Sequence, residues 1–231
     1  MDLRTPLAEL VGTAFLVAAV VGSGVAATRM SPAQPGLQLL ENSLVTGAAL
    51  VALILALQPV SASFNPVVTL VEAALGALAW RRAGVLVTAQ FVGGVVGVVV
   101  ANLMFGLPAV SAASHVREGA GLWLGEVVAT LGLVLVVFGA LRSGRGDSVA
   151  YAVAGWITAA YWFTSSTSFA NPAVTVARAM SDSFAGIAWS SVPAFVLAQL
   201  VGGAVGLVLV RVLFPRAEMA GSVRRTQEVG S

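Results

Sequence analysis

Cysteine is missing from all 231 residues, so disulfides, thiolate metal sites and thiol nucleophiles have no material here. Histidine occurs once, as His115, which excludes a histidine-based metal cluster. Lysine is absent as well: all twelve basic residues are arginine. The most informative scarcity is charge. Only 10% of residues are charged while 58% are hydrophobic, and the mean hydropathy is +0.94. A soluble domain carries about 25% charged residues to cover its surface. The chain is therefore an integral membrane protein. It must be helical, since open sheet edges find no hydrogen-bond partners in lipid.

What is present is a set of long apolar runs, each near the roughly 20 residues a bilayer crossing needs. Six spans are predicted, at about 7–27, 38–58, 84–106, 122–141, 149–164 and 190–214. Met1–Arg4 is too short for the basic region of a signal peptide, so the first run is expected to stay as a helix. Arg4, Arg81, Arg82, Arg142, Arg145, Arg211, Arg216, Arg224 and Arg225 fall on one side of this layout. Arg29, Arg117 and Arg178 fall on the other, so both termini are expected in the cytoplasm. The pI near 9.9 thus reflects membrane topology and not nucleic-acid binding.

The chain repeats itself. "AQFVGGVVGVVVANLMFG" from Ala89 matches "AQLVGGAVGLVLVRVLFP" from Ala198 at nine of eighteen positions. Upstream, "LAELVGTAFLV" around Glu9 pairs with "LGEVVATLGLV" around Glu126. Between them lie two apolar segments about half a span long, 65–78 and 171–181, each opening on Asn-Pro. The expected organisation is one channel-like domain with halves at about 1–110 and 116–215 and a flexible cytoplasmic tail at 216–231. Three spans per half is an odd number, so the second copy must be inverted. Inverted repeats with interrupted helices place a permeation path at the repeat interface, near mid-membrane.

Asparagine is a strong helix N-cap, and proline suits the first helical position because its missing N–H would be unpaired anyway. Asn65–Pro66 and Asn171–Pro172–Ala173 are thus expected to start two half-helices. Entering from opposite faces, their positive dipole ends meet at the bilayer centre, where they orient solute oxygens and oppose cations.

This pattern resembles the aquaporin or major intrinsic protein family, from Thr5 to about Pro215. The family's two Asn-Pro-Ala boxes correspond to "NPV" at 65–67 and "NPA" at 171–173. Glu9 and Glu126 match its buried glutamates, which the resemblance implies brace the re-entrant loops. The implied fold is all-α: six transmembrane helices plus two re-entrant half-helices. The implied assembly is a homotetramer with one pore per subunit, multi-pass in a bacterial plasma membrane, with no cofactor.

The resemblance also locates a selectivity filter, and there the chain departs from the family. Family members usually follow the second box with arginine; here Val174 stands in that place. The other filter positions align with Thr46, Ala159 and Ser168. That ring is small, uncharged and free of aromatics, so a wide pore is expected. Water-selective members carry an aromatic, a histidine and an arginine in the ring, and glycerol facilitators carry Arg-Asp after the box. The context "STSFANPAVT" resembles the bacterial branch associated with arsenic-resistance operons. Expected partners are the lipid bilayer and small neutral solutes: water, polyols and metalloid acids such as arsenite or methylated arsenicals.

Arg178 lies seven residues after Asn171 and four after Val174, on nearly the same helix face. Two uses are open. It could hang in the outer vestibule and attract oxyanions, or it could pair with Asp182 or with carbonyls ending the half-helix. Its counterpart in the first half is Glu72, read as a solvated end. Gly93, Gly94, Gly97, Gly202, Gly203 and Gly206 supply small faces for helix packing. Trp123, Trp156, Trp162 and Trp189 read as interface anchors, and His115 as a solvated loop residue. A glycerol- and water-conducting channel and a secondary transporter are the alternative functions. An enzyme lacks support, with no cysteine, no membrane histidine and no serine paired with a base.

Overall fold

The computed structural model describes residues 3–215; the predicted tail at 216–231 lies outside the described residues. Eight α-helices follow in order: α1 (Arg4–Met30), α2 (Pro35–Leu57), α3 (Pro66–Ala74), α4 (Trp80–Met104), α5 (Ala120–Arg142), α6 (Val149–Phe163), α7 (Pro172–Arg178) and α8 (Val192–Leu213). α1, α2, α4, α5 and α8 run 22 to 27 residues. Each is long and apolar enough to cross a membrane. α6 has 15 residues, a rise of about 22 Å, and a 3₁₀ turn at Gly146–Ser148 extends it. α1, α2 and α4 begin three to four residues before the apolar runs do. A helix keeps its hydrogen bonds beyond the lipid, so Arg4, Arg81 and Arg82 sit inside helices at the bundle edge.

The two halves use the same packing. α1 crosses α4 and α5 crosses α8 in the most extensive pairings, with the half-helices α3 and α7 wedged between. Glycine sets the distance of both crossings. A Cβ on Gly97 would stand 2.3 Å from the Ala14 carbonyl oxygen, and one on Gly202 would stand 2.5 Å from that of Val127. No side chain fits there, so the backbones touch.

Trp156 corrects an expectation. It is partly buried, its Nε1 donates to the Ala129 carbonyl at 2.9 Å, and its ring fills the space over Gly132. It therefore joins α6 to α5 and does not anchor an interface. Trp123, Trp162 and Trp189 are exposed.

Candidate functional site: a lumen between two half-helices

α3 and α7 start where the sequence places Asn-Pro. Asn65 Oδ1 accepts from Val67 N at 3.0 Å, and Asn171 Oδ1 accepts from Ala173 N at 3.0 Å and Val174 N at 3.3 Å. Pro66 and Pro172 occupy the first helical positions. Each asparagine also reaches across to the other half. Asn65 Nδ2 donates to the Ala170 carbonyl and Asn171 Nδ2 to the Phe64 carbonyl, both at 2.7 Å. The half-helices are thereby tied nose to nose.

The loops leading into these caps are strained. Phe64 and Ala170 have φ of 48° and 47°, and Thr167 and Ser168 also lie in the left-handed region. Such residues cost roughly 1–3 kcal/mol each and persist only where surroundings hold them. Two buried carboxylates do so. Glu9 accepts from Ser61 Oγ, Ser63 N at 2.8 Å, Phe64 N at 2.7 Å and Gln90 Nε2 at 2.7 Å. Glu126 accepts from Phe169 N and Ala170 N at 2.9 Å and from Gln199 Nε2 at 2.6 Å. Gln90 and Gln199 in turn reach Thr69 and Thr175 on the half-helices, at 2.8 Å each. Both carboxylates have zero exposure, and charge-assisted bonds to backbone amides are what make that tolerable.

A cavity of about 420 Å³ runs along the middle of the bundle past both asparagines. At the end nearer the termini it is lined by Thr5, Gln58, Glu72 and Arg82. Glu72 is half-buried there and so belongs to the lumen wall, unlike the solvated end the sequence suggests. Towards the far end Thr46, Ser168 and Val174 line the same cavity, all buried. Ala159 does not join them. It is exposed and lines a separate shallow groove between α2 and α6, with Gly47, Thr158 and Trp162. Tyr161, two residues further, occupies the lumen face, because two residues turn a helix by about 200°. Its hydroxyl lies 3.2 Å from Thr46 Oγ1. The far end is thus not free of aromatics, contrary to the expectation of a wide, small-residue ring. Val67, the departure from the first box, is buried against Gly203 of α8 and lies outside the cavity lining.

Arg178 also lines this end and is only 2% exposed, so it does not hang in an open vestibule. Its Nε donates to the Ala185 carbonyl, and its Cζ lies 3.4 Å from the centroid of the Phe169 ring. Asp182 turns instead to Ser114, accepting from its N at 3.0 Å and its Oγ at 2.9 Å. Those two bonds hold the Asp182 carboxyl below its ordinary range. The lumen is therefore not without a guanidinium, although Val174 fills the position after the box.

Sequence reasoning missed Tyr161, Phe169 and Arg117. Arg117 is buried in the loop before α5, where its Nε donates to the Gly186 carbonyl at 3.0 Å and its guanidinium lies 5.1 Å from the Phe169 ring. Burial lowers its pKa to about 10. Phe169 therefore touches two arginines. The only available signal was the polar tip on an aromatic within an apolar helix, which marks Tyr161 as needing a partner.

Two half-helices meeting inside a six-helix bundle, around a lumen that runs past both asparagines, give the architecture of a membrane channel. Residues 1–153 match the family described as "Major intrinsic protein". Over 215 residues the chain is 46% identical to the aquaglyceroporin AqpS of Rhizobium meliloti (strain 1021), covering 93% of this chain and 91% of that protein. It is 29% identical over 144 residues to the probable aquaporin NIP7-1 of Arabidopsis thaliana, covering 62% and 51%. The fold matches the X-ray structure of the aquaglyceroporin from Plasmodium falciparum with a TM-score of 0.66, at 17% identity and over 92% of this chain and 97% of that one. The chain belongs to the major intrinsic protein family.

Proposed function

We propose that the protein passes small uncharged solutes bulkier than water, and specifically neutral metalloid hydroxides such as arsenite. The observation that carries this reading is the far end of the lumen. There apolar Val174 lines the lumen together with Thr46, Tyr161 and Ser168, and the hydroxyls of Thr46 and Tyr161 lie 3.2 Å apart. An apolar wall with a few hydroxyls suits a polyol, and trihydroxy arsenite resembles one in size and hydrogen bonding. The name aquaglyceroporin on the 46% identical relative supports a polyol-sized solute. In this reading Asn65 and Asn171, set by Pro66, Pro172 and Ala173, orient solute oxygens at mid-membrane. Thr46, Ser168 and Val174 act as the filter, and Glu9 and Glu126 hold the loops. The assembly is a homotetramer with both termini in the cytoplasm, the side on which Arg4, Arg81, Arg82, Arg142, Arg145 and Arg211 fall.

A proton-coupled transporter would need a free carboxylate near mid-membrane. Glu9 and Glu126 are fully engaged by loop amides and glutamines, which favours a passive pore. Stopped-flow swelling of proteoliposomes under water, glycerol, urea and arsenite gradients tests this. Glycerol and arsenite are expected to move without saturation or a proton gradient. Movement of water alone overturns the reading.

A further inference from the structure

The far end of the lumen holds two polar groups that the fold itself does not use. Ser168 Oγ is buried without a hydrogen-bond partner among the described residues. The backbone N–H of the same residue is satisfied, donating to Ser166 Oγ at 3.2 Å. Arg178 is the second. Its Nε is held by the Ala185 carbonyl and its plane is pinned on Phe169, while Nη1 and Nη2 have no acceptor among the described residues. Both residues line the cavity, together with Tyr161. A buried guanidinium without a carboxylate is costly, and a buried hydroxyl without a partner adds to that cost. In a native structure such groups are met by water, or by an ion or solute that reaches them.

From this juxtaposition we infer that Arg178 is a specificity-determining residue of the pore, acting from one helical turn beyond Val174. Its two free Nη groups and Ser168 Oγ form a station for solutes that carry paired oxygens, on one atom or on adjacent atoms. The reason is geometric. A planar guanidinium presents its N–H groups as a fork that two oxygens can satisfy at once, which a point-like ammonium cannot reproduce. Phe169 and Ala185 fix the direction of the fork, so little side-chain entropy is lost when a solute docks. A solute with a single acceptor oxygen leaves one prong unmet. Glycerol and arsenite have the paired oxygens; urea, of similar size, has one. This deepens the polyol and metalloid reading above and rests on it.

The test compares glycerol, arsenite and urea permeability of the wild-type protein with Arg178→Gln, Arg178→Lys and Ser168→Ala in proteoliposomes. Ser168→Ala removes no protein hydrogen bond made by the side chain, so it keeps the test valid if the Arg178 variants misfold. Loss of one charge-assisted hydrogen bond should lower the glycerol-to-urea and arsenite-to-urea ratios about tenfold in Arg178→Gln. A smaller drop is expected in Ser168→Ala, and Arg178→Lys should fail to restore the ratio. Unchanged ratios in both Arg178→Gln and Ser168→Ala overturn the station alone. Full recovery in Arg178→Lys overturns the fork, since charge then suffices. A wild-type protein that moves none of the three solutes overturns the polyol reading and the station with it.

Discussion

At the scale of single residues, the buried carboxylates hold the strained loops in place. Removing Glu126 leaves Phe169 N and Ala170 N without an acceptor and leaves Gln199 Nε2 with Thr175 Oγ1 alone. Each buried unsatisfied donor costs about 1–3 kcal/mol. Glu126→Ala is therefore expected to lower the thermal midpoint of the detergent-solubilised protein by several degrees or to abolish folding. An unchanged midpoint would show that the loop holds itself. The same scale shows how a register error arises. Ala159 and Tyr161 stand two positions apart on α6, yet one faces outward and the other lines the lumen. The one local signal, the hydroxyl of Tyr161, asks for a partner without saying where that partner lies, and the rest of the helix is almost uniformly apolar.

At the scale of elements, the crossings of α1 with α4 and α5 with α8 decide where the half-helices sit. Gly97 is the sharpest point, because its backbone lies against the Ala14 carbonyl. Gly97→Leu should push α1 from α4 and reduce the yield of folded protein, with a cost of at least about 1–3 kcal/mol. Gly84, on the same helix, has open space where a side chain would begin, with nothing within 4 Å of a Cβ placed there. Gly84→Ala is thus the control and should be neutral or slightly stabilising by helix propensity. Comparing the thermal midpoints of the two variants checks the argument. The half-helices were legible as elements because Asn-Pro carries its own capping chemistry. Their tie across the midplane, from Asn65 to Ala170 and from Asn171 to Phe64, joins residues about a hundred positions apart and has no sequence signature.

At the scale of the whole molecule, the loops before α5 and after α7 are tied to each other as one layer. Ser111 N donates to the Met180 carbonyl, Ala113 N to that of Ala179 and Ala188 N to that of His115. Arg117 ties the same layer through Gly186 and Ser191. His115 sits on its exposed side, and partial desolvation, then Arg117, then Arg178 lower its pKa from 6.5. The opened loop therefore binds a proton more readily than the closed one. Its stability is complete above 6.5 and declines as pH falls through 6.5 towards the lower closed-state value. An NMR titration of the His115 ring should give a midpoint below 6.5, and protection of the Ala188 amide, corrected for intrinsic exchange, should weaken on acidification. A midpoint at or above 6.5 would overturn this.

The sequence by itself determined the class of protein, the inverted repeat and the starts of both half-helices. Those properties follow from composition, periodicity and local capping, which act between near neighbours along the chain. Only the tertiary structure decided which side chains meet in the lumen. It put Tyr161 in place of Ala159, turned Val67 away towards Gly203, and brought Arg178 back beside Val174 against Phe169. Such meetings depend on helix rotation and on loop strain balanced across the bundle, and both are set by long-range packing.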